Sequence, residues 1–277
     1  MSHLHLRQVQ VLRGRSPWHR PPGQVCFCPK QSPDNLEAHL LLTHIKTILF
    51  DLDGTLRHHL PSGGEVFVEY VRSIGLQISE EDRIRALHWE HFYFASSPEI
   101  QADGETYKDD RKGFWINFTR RHLVALGTHR TQAIELAPKV SAYMEEFYKP
   151  EVHVPQDAFT LLTFLKDAGY ILGMVSNREK PFREELIELK LDSYFNFSLA
   201  GGEVNSFKPD SVIFERALEL AGTSAPETMY VGDNYFADIV GSQRAGLRPV
   251  LYDPTSLFPD ADCETIKSFA EFPELLK

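Results

Sequence analysis

The sequence predicts an α/β fold, a three-layer core with a parallel sheet, interrupted by an inserted all-helical segment. Three observations carry this. After Pro155, short apolar β-prone runs alternate with helical segments, the pattern of a parallel sheet covered on both faces. Between Pro61 and Pro155, about 90 residues carry only helical periodicity. Asp51, Ser176 and Asp233 each stand at the carboxyl end of a predicted strand, where open parallel sheets bind their ligands.

Taken in order, Thr47 to Phe50 is a short apolar run ending at Asp51 and reads as a buried parallel strand. Pro61 to Gly64 is a turn cluster and a hinge, paired with a second hinge at Lys149 to Pro155. Ser79 with Asp82 resembles a capping box and opens a helix through about Ala95, with Ile84, Leu87, His91 and Phe94 on one face. A second helix is expected from Thr106 to Leu126, stopping at Gly127. A third carries Leu136, Val140, Tyr143, Met144 and Phe147. Beyond Pro155, Asp157 to Ala168 is a helix with Ala158, Leu161, Leu162 and Leu165 inward. Tyr170 to Val175 and Asn196 to Ala200 are strands, and Pro181 suits the first turn of the helix between them. Pro209 opens a helix bearing Ile213, Ala217 and Leu220, and Thr228 to Gly232 and Pro249 to Tyr252 complete the sheet.

Composition narrows the function. The chain has 277 residues and a net charge of −10. Acidity argues against a nucleic-acid partner, and no apolar run approaches the ~20 residues of a membrane span. Cys26, Cys28 and Cys263 form no disulfide framework, which points to a reducing, cytoplasmic location. Cys26 and Cys28 lack the second ligand pair of a structural zinc site. Residues 1–44 differ from the rest, with five basic residues, two acidic ones and repeated prolines. They read as a disordered extension. A transit peptide is the alternative, weakened by scarce serine, and Leu36 to Leu42 could form a short helix.

Four short segments carry the chemistry: Asp51-Leu52-Asp53-Gly54-Thr55, Val175-Ser176-Asn177, Lys208-Pro209, and Gly232-Asp233 through Asp238. A carboxylate can accept a phosphoryl group, and a second one two residues on can protonate the leaving alcohol and then activate water. Asp51 and Asp53 suit these roles. Gly54 lets the backbone turn next to a ligand. Thr55 could orient Asp53 or cap the following turn. Carboxylates meeting at one point need a cation, and oxygen ligands beside a phosphate suit Mg²⁺ rather than zinc.

In this order the segments resemble the haloacid dehalogenase (HAD) superfamily, and within it the phosphoglycolate-phosphatase-like branch. The resemblance covers roughly residues 45 to 255. It implies a Rossmann-like core at 45–60 and 152–277, with 61–151 as a helical C1 cap. It also implies an Mg²⁺-dependent phosphatase acting on a small phosphorylated metabolite through an aspartyl-phosphate, as a monomer or homodimer. By resemblance Asp51, Asp53, Ser176 and Lys208 are catalytic. Gly54, Thr55, Ser176, Asn177 and Lys208 bind phosphate. Asp51, Asp53 (through its main-chain carbonyl) and Asp233 hold the metal, and Asp238 supports the metal or holds Lys208. Asn177 would add a backbone or amide donor. The rival readings are a β-phosphoglucomutase-like phosphotransferase and a non-catalytic binding protein of the same fold. A dehalogenase fits less well, since it would not keep an acid at Asp53. In the insertion, His88, Trp89, His91, Arg111, Lys112, Arg120 and Arg121 are candidates for substrate contact. Packed or solvated faces are the plainer expectation for most of them, and His91 reads as a packed core residue.

Overall fold

A computed structural model describes residues 44–277. The readings made for residues 1–43 lie outside the described residues. Six parallel strands form the main sheet: β1 (Thr47–Phe50), β4 (Ile171–Ser176), β5 (Phe197–Ala200), β6 (Thr228–Gly232), β7 (Arg248–Tyr252) and β8 (Glu264–Ile266). Their spatial order is β5-β4-β1-β6-β7-β8. The chain builds outward from β1 through β4 and β5, then returns to its other side at β6. β1 therefore lies at the point where the strand order reverses, and the crevice beyond its carboxyl end is where such sheets bind ligands.

Alternation along the strands makes the three layers. Ile48 and Phe50 face one side with Met174, Met229 and Val231, packed by helix Gln156–Asp167 and the terminal 3₁₀ segment Phe269–Leu276. Leu49, Val175 and Tyr230 face the other, against Ile213, Phe214 and Ala217 of helix Ser211–Ala221. The helix at 156–167 buries Ala158, Leu161, Leu162 and Leu165, as its spacing predicts. Leu220 is exposed, and Phe214 and Ala221 take the inward positions instead.

The insertion departs from expectation in several places. His58–Leu60 (β2) and Glu151–His153 (β3) pair as an antiparallel ribbon through which the chain leaves and re-enters the core. These runs are too short and polar to read as strands. Five helices lie between the two strands of the ribbon: α1 (Gly63–Ser73), α2 (Glu80–Phe94), α3 (Pro98–Thr106), α4 (Arg111–Ala125) and α5 (Arg130–Phe147). α1 begins inside the supposed hinge, because Ser62 and Glu65 form a reciprocal capping box. The Ser79–Asp82 box is present and opens α2. The helix expected from 106 to 126 starts later, at Arg111, because Asp110 accepts from the Gly113 amide and caps α4; the unexpected α3 ends at Thr106, before it. On α2 the buried side chains are Ala86 and Tyr93, whereas Ile84 and Phe94 are exposed. The insertion has its own buried cluster, including Phe67, Val71, Leu123, Ala137 and Val140.

Candidate active site

The crevice beyond β1 gathers the four segments. Asp51 follows β1 directly and is buried. Lys208, from the loop before helix Ser211–Ala221, is one of the largest fully buried side chains. Its ammonium donates to Asp51 Oδ1 at 2.6 Å, Asp238 Oδ1 at 2.7 Å and the Tyr230 hydroxyl at 2.8 Å. All three hydrogens are thus used, which fixes a cation that burial alone would discharge. Tyr230 in turn donates to the Val175 carbonyl at 3.0 Å.

The neighbouring segments hold this centre from behind. Asn177 grips the Lys208 main chain with both ends of its amide: Nδ2 donates to the carbonyl at 2.9 Å, and Oδ1 accepts from the N–H at 2.6 Å. One of the two Nδ2 hydrogens is therefore committed, leaving the other and the backbone for a ligand. Thr55 bonds Asp233 rather than Asp53, donating to Oδ1 at 2.9 Å and accepting from the Asp233 N–H at 3.0 Å. Gly54 has φ +94°, and a Cβ there would collide with the Asp233 carboxylate. A Cβ on Gly232 would likewise strike Asp238. Asp238 sits on a π-helical turn, Tyr235–Ile239, capped by Asn234, which aims its carboxylate back at Lys208 and at the Asn234 N–H. Ser176 is buried at the end of β4 and lines the same space.

Asp53 is turned toward a different set of charges. Arg178 donates to it twice, at 2.8 and 2.9 Å, and Arg57 once, at 2.8 Å. Both guanidiniums also meet Glu185. Arg178 is hydrogen-bonded to it, and Arg57 Nε lies 2.8 Å away at an angle that makes no hydrogen bond. Burial would raise the Asp53 pKa, but Arg178 and Arg57 outweigh it and hold the carboxyl below the usual range.

The electrostatics of the crevice are those of a site short of positive charge. Burial, with repulsion from Asp238 and Asp53, pushes Asp51 up to about 7 despite Lys208. Burial and the charges of Asp51 and Asp238 push Asp233 well above the carboxylate range. Burial depresses Lys208, but Asp238 and Asp51 overcome it and hold the lysine well above its ordinary value. Carboxylate oxygens of Asp51, Asp233 and Asp238 lie within 4.8 Å of one another. With one oxygen of Asp238 on Lys208 and the other on a backbone amide, Asp51 and Asp233 remain as free donors. Three carboxylates against a single lysine fit a hard divalent cation held by oxygen.

Above the crevice lies a cavity of about 1060 Å³, lined by these residues and by the insertion. α2 docks beside it: Asn234 Nδ2 donates to the His91 carbonyl at 2.9 Å, and Phe92 meets Phe236 edge-on. Of the insertion candidates only His91 lines the cavity. Its ring is also packed, edge-on to Phe258. Trp89 is in an aromatic cluster with Tyr93, Phe118 and His122. His88 contacts the Leu257 carbonyl, Arg120 holds Asn117, and Arg121 is paired with Asp103 and Glu99. Arg111 and Lys112 are exposed. Sequence reasoning missed Tyr230, Arg57 and Glu90. Arg178 follows Ser176-Asn177 in the sequence, which does not show its partners Asp53 and Glu185.

A protein family, the haloacid dehalogenase-like hydrolases, matches residues 45–246. The chain therefore belongs to that family, and is a hydrolase by fold and by site. Among its relatives, ribulose-1,5-bisphosphate 5-phosphatase of Halopiger xanaduensis is 29% identical, over 75% of this chain and 84% of the relative. Phosphoserine phosphatase of Thermus thermophilus is 28% identical, over 76% and 89%. Phosphoglycolate phosphatase of Vibrio cholerae is 26% identical, over 73% and 81%. Among solved structures, the HAD-hydrolase YfnB of Bacillus subtilis bound to magnesium superposes with a TM-score of 0.50, at 19% identity over 84% of this chain and 99% of that one. A dehalogenase solved as an intermediate complex gives 0.52, at 19% identity over 84% and 97%. These two likenesses speak to the fold alone. No helix among the described residues is long and apolar enough to cross a membrane.

Proposed function

We propose that this protein is an Mg²⁺-dependent phosphatase that hydrolyses a small phosphorylated metabolite through an aspartyl-phosphate. The observation that carries the reading is the buried Lys208, held by Asp51, Asp238 and Tyr230 at the mouth of the sheet crevice. An Asp51 oxygen attacks phosphorus, and the ester P–O bond breaks. Asp53 gives its proton to the departing alkoxide, then takes one from the water that attacks the phosphorylated Asp51. Phosphate leaves and both carboxylates return to their starting states. Lys208 and the Ser176 hydroxyl stabilise charge on the transferring group. Asp51, the Asp53 main-chain carbonyl and Asp233 would hold the cation, which offsets the negative charge of the phosphoryl oxygens. The named relatives support the phosphomonoester class, since those cited act on small phosphate esters by name.

Asp53 must leave the grip of Arg57 and Arg178 to act as a proton donor, because a carboxylate paired with two guanidiniums stays ionised. We read residues 61–151 as the cap that covers the leaving group, and 45–60 with 152–277 as the catalytic core. Phosphate release from p-nitrophenyl phosphate by the full chain tests the chemistry. Turnover is expected to need Mg²⁺, to stop with a chelator and to be lost in Asp51→Asn, because an amide is a poor phosphoryl acceptor. Near-normal release by that variant would exclude the aspartyl-phosphate route.

A further inference from the structure

The wall that the insertion contributes to the cavity is apolar or neutral except at one point. Phe94, Ile100 and Phe114 supply its apolar surface, with Ser96 and Gln101 as neutral polar groups. Its one ionisable group besides His91 is Glu90 on α2. Burial holds the His91 imidazole down to about 4, so it is neutral at physiological pH. No cationic side chain of the insertion reaches the cavity among the described residues. The arginines and lysines that could have met an anionic leaving group are spent elsewhere or exposed.

Glu90 is unlike the other acids near it. Among the described residues no hydrogen bond or ion pair involves its carboxylate, whereas Asp103, the buried acid within the insertion, is held by Arg121 and Tyr93. Its Oε2 lies against α1, where a Cβ built on Gly64 would be 4.0 Å away. Glu90 is half-buried, and a carboxylate that faces a cavity without a donor is open to a ligand that brings the missing cation. Burial pushes the group up to about 7, in keeping with an acid awaiting a partner.

The charge of the whole cavity points the same way. Seven acidic side chains line it against three basic ones, Arg178, Lys208 and Arg244. Of these, Lys208 is committed to Asp51 and Asp238, and Arg178 to Asp53 and Glu185. A divalent cation would be offset by the phosphate dianion it accompanies, so the insertion wall keeps the negative charge of Glu90. Arg244 is exposed on the core side of the cavity, so a second phosphate or a carboxylate that reached the insertion wall would meet Glu90 where the insertion supplies no cation.

We propose that Glu90 is a specificity residue that receives an ammonium group on the leaving alcohol, so that the substrate is the phosphate ester of an amino alcohol. This rests on the phosphatase reading above and names the leaving group for it. The apolar surface of Phe94 and Phe114 would cover the carbon skeleton between ester oxygen and amine.

The test compares two-carbon esters that differ only in their far end: phosphoethanolamine, ethyl phosphate and phosphoglycolate, each assayed with the full chain and Mg²⁺. Wild type is expected to turn over phosphoethanolamine with a kcat/KM about tenfold or more above the other two. In Glu90→Gln the ratio of phosphoethanolamine to ethyl phosphate should fall about tenfold, mainly through KM. In Glu90→Lys the preference should shift toward phosphoglycolate. A wild-type preference for phosphoglycolate would overturn the proposal, as would an unchanged ratio in Glu90→Gln. Activity of wild type on p-nitrophenyl phosphate separates the two levels. Its presence with an unchanged ratio removes only the role of Glu90, and its absence removes the phosphatase reading and this proposal with it.

Discussion

Lys208 and Glu90 face the same cavity from opposite sides, and the fold treats them in opposite ways. On the sheet side a buried cation has three acceptors at hydrogen-bond distance, and its main chain is clamped by Asn177. On the helical side a half-buried carboxylate has no partner among the described residues. Groups that serve one invariant step, phosphoryl transfer, are best preorganised, because any reorganisation would be added to the barrier. A group that selects a leaving group has to stay open to it. The contrast extends to the framework. The sheet side is a crevice set by strand ends, whereas the helical side is a cavity wall backed by a packed aromatic cluster, Trp89, Tyr93 and Phe118.

The largest break in this comparison comes from the paired side. Lys208→Met removes the cation while leaving Asp51, Asp233 and Asp238 buried together. Breaking a buried pair in this way costs about 3–5 kcal/mol, and the stability should fall by that order in a urea titration. Hydrolysis of p-nitrophenyl phosphate should fall about a thousandfold as its transition-state charge loses a fixed donor. Retained activity would mean that Lys208 is structural and that the crevice works without it. Added Mg²⁺ should recover part of the stability but not the rate, because it occupies the Asp51–Asp233 side rather than the position of the ammonium.

A second break concerns the aromatic cluster behind the wall. His122 is buried, stacked on Phe67 at 4.3 Å, and its Nδ1 has no partner. Burial lowers it to about 4 from an ordinary 6.5. Its folded pKa lies below its unfolded one, so the unfolded state binds more protons between those two values. The stability it allows is fully present above about pH 6.5 and is lost as pH falls toward 4, by about 3 kcal/mol in all. Glu90 has the opposite slope. Its folded pKa of about 7 lies above an ordinary 4.5, so its cost to stability appears as pH rises through that window. His122→Phe should remove the acid-side loss, read as the difference between urea midpoints at pH 7 and pH 4.5. Parallel pH dependences for variant and wild type would place the acid sensitivity elsewhere.

The two sides were unequally legible in the sequence. The crevice could be read because its residues lie at strand ends in short segments, and strand periodicity says where those ends are. Asp51, Ser176 and Asp233 fall where that rule puts them. What the segments do to one another could not be read. Thr55 serves Asp233, and Asn177 serves the Lys208 backbone, through contacts spanning 178 and 31 residues. The helical side failed for a different reason. Charge drew the reading to Arg111, Lys112, Arg120 and Arg121, and three-residue spacing to Ile84 and Phe94, yet α2 presents a mixed face to the core. Glu90 is one glutamate in an acidic chain, and only its lack of a partner distinguishes it. The capping boxes were local signals of equal quality, but Ser62-x-x-Glu65 was hidden by the Pro-Gly cluster around it.

The smallest expected effect tests how far preorganisation on the sheet side reaches. Tyr230 touches no ligand position. It accepts the third Lys208 hydrogen and donates to the Val175 carbonyl, one residue before Ser176. Tyr230→Phe keeps the ring packed edge-on to Phe214, at 5.1 Å, and removes only the hydroxyl. One ammonium hydrogen and one buried carbonyl then lose a partner, which costs about 1–3 kcal/mol of stability. If Lys208 is aimed by all three acceptors, kcat on p-nitrophenyl phosphate should fall severalfold while KM changes little, because the loss falls on the transition state. A drop in urea midpoint with kcat unchanged would show that Asp51 and Asp238 suffice to place the ammonium, and that Tyr230 serves the core alone. Loss in KM rather than kcat would instead place its effect on β4 and the Ser176 hydroxyl, through the carbonyl it releases.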